Sequence, residues 1–125
     1  MLRIVLAATR PEIIHSFAEY LSSDPEVHLE PVASGAAALN AVRTSSPHLV
    51  VIDSDLPDTT SLSLVPELIM ANAMVNTAVV SSLSEKDFHE ASEGLGVLAR
   101  LPVNPGRSDA SELLRRLKEV LGEMR

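Results

Sequence analysis

Apolar and polar positions along the chain alternate between two periods. Short apolar runs recur at Leu2–Ala8, Val27–Ala33, His48–Asp53, Thr77–Ser81 and Gly96–Leu101. Their continuity, rather than strict in-out alternation, predicts strands covered on both faces. Between them lie stretches with helical spacing. In Pro11–Ser22 the residues Ile13, Ile14, Phe17, Ala18 and Leu21 share one face, and Pro11 suits a first helical turn. Ala36–Thr44 is Ala-rich and follows Ser34-Gly35. Leu62–Ala73 carries Leu64, Leu68, Ile69 and Met70, with Pro66 expected either in its first turn or at a kink. Ser84 heads a helix with Asp87 three residues on, a variant of the capping box. The last stretch, Ser108–Met124, sets Leu113, Leu114, Leu117, Val120 and Leu121 against Arg115, Arg116 and Lys118.

The predicted order is therefore βαβαβαβαβα. With right-handed crossovers this gives an α/β fold, a doubly wound, five-stranded parallel sheet flanked by helices. In such sheets ligands sit beyond the carboxyl ends of the strands. Four ends thus matter here: Ala7–Arg10, Asp53–Asp58, Ser81–Ser84 and Arg100–Pro105.

The 125 residues are the size of one compact domain, expected to span 1–125. Phe17, Tyr20 and Phe88 are the only aromatics, so the core must be aliphatic and stacking platforms for bases are missing. A net charge of −7 opposes phosphate backbones, which argues against nucleic-acid binding. No cysteine is present, which removes disulfides, thiolate chemistry and Cys-based zinc sites. No apolar run has the length of a membrane span, and the N-terminus reads as a strand, so a cytoplasmic location is expected. His15, His28, His48 and His89 show no metal-ligand spacing.

The most informative stretch is Leu49–Asp58, LVVIDSDLPD, an apolar run ending in three carboxylates around a proline. Asp53 reads either as an acceptor of chemistry or as a strand-end carboxylate capped by loop amides or paired with Arg10. Asp55 and Asp58 read as solvent-facing turn acids. A cation site from Asp53, Asp55 and Asp58 has no recognised spacing.

Across its whole length the sequence resembles the receiver domain of two-component response regulators. The resemblance rests on IVLAA running into PEI, the SGAAAL turn and helix, PHLVVIDSDLP, VVSSLSEKD and LARLP, in that order. It implies a flavodoxin-like (βα)5 fold with strand order 2-1-3-4-5. It also implies Asp53 as the phosphoacceptor for a histidine kinase, and Ser81 and Leu98 at the two switch positions. A cis Leu101–Pro102 bond is suggested by the family pattern.

Several positions depart from that pattern. Ala8 and Thr9, followed by Arg10, stand where the family places its metal-binding acids, and no Asp or Glu precedes Glu12. Leu101 stands before Pro102 where the family has a lysine; Lys86 and Lys118, the only lysines, match no family position. Leu98 replaces the aromatic switch residue. Phosphoryl transfer depends on neutralising developing charge, so slow phosphorylation or none is expected. Mg²⁺ is expected only if the site works after all, through Asp53, the backbone at Asp55 and a strained Glu12. Arg10 reads either as a permanent positive charge beside Asp53 in the metal's stead or as a solvated arginine in a loop.

The reading is a degenerate receiver, not an enzyme, acting through protein partners such as a histidine kinase or an effector, or as a homodimer. Its expected face comprises Phe88, His89, Leu98, Arg100, Arg115 and Lys118. The alternative is an atypical receiver phosphorylated on Asp53. A small-ligand or enzymatic flavodoxin-like domain ranks last, since no phosphate-cradling loop or strand-end histidine ligand is present.

Overall fold

The computed structural model describes residues 2–10, 12 and 14–122. Ten elements alternate along the chain: β1 (Leu2–Ala7), α1 (His15–Ser23), β2 (Val27–Val32), α2 (Gly35–Ser45), β3 (Leu49–Ile52), α3 (Ser61–Ala71), β4 (Asn76–Val80), α4 (Glu85–Ala91), β5 (Ala99–Leu101) and α5 (Arg107–Val120). The strands form one parallel sheet in the order β2-β1-β3-β4-β5, as expected.

Successive strand side chains alternate between two cores. On one face Leu2, Ile4, Leu6, Leu49, Val51, Val80 and Leu101 pack under α1 and α5, around Phe17, Leu21, Leu113 and Leu117. On the other Val5, Ala7, Val50, Ile52 and Val79 pack under α2, α3 and Phe88 of α4. Both faces of β1, β3 and β4 are covered, which is why those strands read as apolar runs, whereas the edge strand β2 mixes half-buried and exposed positions. Small residues on α2, Ala38 and Ala41, let that helix lie close to the sheet.

Local chemistry sets the helix starts. The Ser34, Thr60 and Ser84 hydroxyls accept the amides of Ala37, Ser63 and Asp87, each opening a helix. At α5, where Gly106 has no side chain to offer, the Asp109 carboxylate accepts the Gly106 amide at 2.8 Å.

Four expectations need correction. Strand five begins at Ala99, not Gly96, because Gly94 and Gly96 adopt left-handed φ angles of 82° and 67° that break the extended run. Helix one begins at His15, with Glu12 in a preceding turn closed by the Ile14 amide on the Arg10 carbonyl, so Glu12 lies on no helix. Pro11 and Ile13, given to that helix, and Met124, given to the last, lie outside the described residues. Pro66 is the sixth residue of α3, past the first turn; lacking an N–H, it leaves the Leu62 carbonyl without its helical partner. The Leu101–Pro102 bond is trans, as is every described peptide bond.

Candidate functional site

Parallel pairing aligns the strand ends. Ala7 stands beside Ile52, and Ile52 beside Val79. The next residue on β3 is Asp53, whose amide donates to the Ala7 carbonyl at 2.9 Å. Register thus places Asp53 at the carboxyl edge near the sheet centre, where it is 1% exposed.

A buried carboxylate needs partners. Arg10 supplies most of them from the loop after β1. Its Nε donates to Asp53 Oδ2 at 2.8 Å, its Nη2 donates to Oδ1, and the Ser54 amide donates to Oδ1 at 2.8 Å. This is a two-pronged guanidinium–carboxylate pair, the strongest geometry available to these groups. The same Nη2 donates to the Val103 carbonyl at 3.0 Å, so one side chain ties the ends of β1 and β3 to the loop before α5. The hydrogen bond to Asp53 raises the Arg10 pKa above its ordinary value; partial burial opposes it, and the charges of Asp53 and Asp55 add to it. Arg10 is therefore a permanent cation.

The neighbouring groups are engaged as well. The Thr9 hydroxyl donates to the Asp55 carbonyl at 2.7 Å. Asp55 and Glu12 are exposed, and Ala8 is half-buried with its amide on the Val32 carbonyl. Mg²⁺ takes about six oxygens in near-octahedral geometry, normally including carboxylates. Here Asp53 spends both oxygens on Arg10 and Ser54, the Asp55 carbonyl takes the Thr9 hydroxyl, and the Arg10 guanidinium already balances the Asp53 charge and would repel a dication beside it. Among the described residues no three His, Asp or Glu side chains converge. This donor set does not fit the ion.

The positions implied as a switch are also tied down. The Ser81 hydroxyl accepts the Leu83 amide at 3.1 Å, closing its own turn. Leu98 is half-buried, with its amide on the Thr77 carbonyl. Leu101 is buried in the core beneath α5, an apolar contact no lysine would make as well, and Pro102 is exposed.

Asp58 was expected in solvent as a plain turn acid. It is exposed, yet its carboxylate accepts the amides of Gly35 and Ala36 at 2.8 and 3.0 Å, opening α2. Those two bonds hold its pKa below the usual carboxylate value. Sequence reasoning had no signal for this pairing, because Ser34 already offers α2 a local cap and no local rule connects residues so far apart.

The expected interaction face is only partly assembled. A shallow groove of about 310 Å³ runs between α4, β5 and α5, lined by Glu85, His89, Leu98, Arg100 and Arg116 among others. Phe88 also borders it but is 7% exposed and belongs to the core, so it offers little to a partner. Lys118 faces away, toward Asp24 and Glu26 at 3.4 and 3.7 Å in the loop between α1 and β2. Arg116, which the expected face did not include, lines the groove in place of Lys118. Arg115 lies on the exposed side of α5, paired with Glu112 and Glu119 of its own helix.

No family model matches the sequence, and no curated protein does. The fold has many solved counterparts. A CheY-like response regulator receiver domain protein from Methanospirillum hungatei is 18% identical, with a TM-score of 0.83 over 98% of each chain. The response regulator domain of Thermotoga maritima CheB is 19% identical, with a TM-score of 0.78 over 98% of this chain and 97% of that one. The signal receiver domain of the response regulator NarL from Mycobacterium tuberculosis is 18% identical, with a TM-score of 0.78 over 94% and 96%. The chain has the receiver fold.

Proposed function

We propose that this receiver-fold protein is a signalling module that works by binding other proteins, with its phosphoacceptor position held shut by Arg10. One observation carries the reading: both oxygens of the buried Asp53 are bound by a guanidinium where the site would need a metal ion and a free nucleophilic oxygen. Phosphoryl transfer needs cations to offset the charge of the incoming group, and here the Arg10 guanidinium is already committed to Asp53 itself. The reading is of a binding module rather than an enzyme.

The surface best suited to a partner is the groove bounded by α4, β5 and α5. On α4 Glu85, Asp87 and Glu90 are exposed, and across the groove Arg100 and Arg116 are basic. Acidic groups on α4 facing Arg100 of β5 and Arg116 of α5 make the face self-complementary under a two-fold axis, so a homodimer through it is the first partner to test, and a kinase or effector protein the next. Among the described residues no helix is long and apolar enough to cross a membrane.

The deciding experiment exposes the protein to Mg²⁺ with beryllofluoride or acetyl phosphate, followed by amide NMR and intact mass. The expected outcome is no change in the wild type and none in Asp53→Asn. A shift or mass gain in the wild type that disappears in Asp53→Asn would instead establish a working, atypical receiver.

A further inference from the structure

The segment from Asp53 to Asp58 is fastened at three points, two of them to the loop after β1 and one to the start of α2. Arg10 grips Asp53, the Thr9 hydroxyl donates to the Asp55 carbonyl, and the Asp58 carboxylate accepts the first two amides of α2. The third attachment spans 22 and 23 residues of sequence and performs a task that a helix normally assigns to its own flanking residues. With Ser34 accepting the Ala37 amide, all of the first three amides of α2 are satisfied, two of them by the Asp53 loop. The contact is close. A Cβ on Gly35 would lie 2.5 Å from Thr59 Cγ2 and 3.2 Å from Asp58 Oδ1, so the loop rests directly on the helix start.

We infer that Asp58 is a latch through which the state of the Asp53 clamp reaches the first turn of α2. While Arg10 holds Asp53, the loop is set so that Asp58 meets both amides. When the clamp is released the loop shifts, and the helix loses two of its three terminal partners at once. The inference rests on the closed-clamp reading only for what opens the latch, since the latch itself needs no phosphoryl chemistry. Coupling of this kind is established by perturbing one end and reading the other.

Hydrogen exchange on the full chain reads Gly35 and Ala36 directly. Asp58→Asn should speed their exchange about fivefold, the scale of losing one helix cap. Thr9→Val removes the strut to Asp55 without touching the buried charge, and it should speed the same two amides although it contacts neither. Arg10→Gln should do so more strongly. If Thr9→Val loosens residues 54–58 while Gly35 and Ala36 exchange at the wild-type rate, the latch is not coupled to the clamp and the proposal falls. Thr9→Val decides the question even if Arg10→Gln fails to fold. Beryllofluoride binding by the wild type would overturn the closed site but leave this exchange result to stand on its own.

Discussion

Asp53 and Asp58 sit on the same loop, five positions apart, and solve opposite problems. Asp53 is 1% exposed and would be a costly bare charge, so it takes a guanidinium with two prongs and one backbone amide. Asp58 is in water and needs no rescue. It spends its carboxylate instead on two amides that a helix start leaves without partners. The first bond set protects the acid from its surroundings, and the second lends the acid to them. Chemically identical groups thus differ in what their removal would leave behind: an uncompensated buried charge in one case, unpaired but solvated amides in the other.

The sharpest way to break this contrast is to remove the cation. Arg10→Ala should cost about 3–5 kcal/mol of stability by leaving Asp53 buried and unpaired. Urea unfolding measures it, and replacing both partners together with apolar residues should recover most of the loss. A cost below ~1 kcal/mol would mean that water reaches Asp53.

Gly35→Ala probes the other half from the helix side. Its Cβ would press on Thr59 and Asp58, and the strain expected is about 1–3 kcal/mol, read as a lower midpoint at an unchanged denaturant slope. A neutral substitution would show that the loop can retreat from α2 freely.

The smallest effect concerns pH. The folded-state pKa of Asp58 lies below its unfolded value, so its contribution is present above the usual carboxylate pKa of about 3.9 and is lost as pH falls through the depressed value. Asp58→Asn should therefore flatten the acid limb of the stability curve below about pH 4 and lower the plateau slightly. The shift on Arg10 runs the other way: a raised pKa gives stability that disappears only in strong alkali, so that side of the clamp is constant across ordinary pH. An acid limb unchanged by Asp58→Asn would show that its two amide bonds do not persist in solution.

The period of apolar residues made the ten elements, the sheet class and both layers of the core legible. Asp53 and Arg10 could be matched as one alternative because the missing carboxylates before Glu12 left Arg10 beside a strand end that needed charge. Other features were not readable. Phe88 looked like a surface aromatic on a charged helix, but a seven-residue helix has only one face to bury, and Phe88 is its anchor. Lys118 fell on the polar side of α5, yet its direction depends on where Asp24 and Glu26 arrive from β2. Strand five was overextended because an apolar run does not reveal glycines with left-handed backbone.

Side-chain period and turn chemistry act between residues a few positions apart, so the order of amino acids was enough to specify strands, helices and a buried carboxylate at a strand end. Partner choice at that carboxylate, and the loan of Asp58 to a helix 23 residues upstream, arise between segments that meet only after the parallel sheet has closed. Hydrogen bonds and ion pairs are short-ranged and directional, and three-dimensional register sets which donor comes within reach.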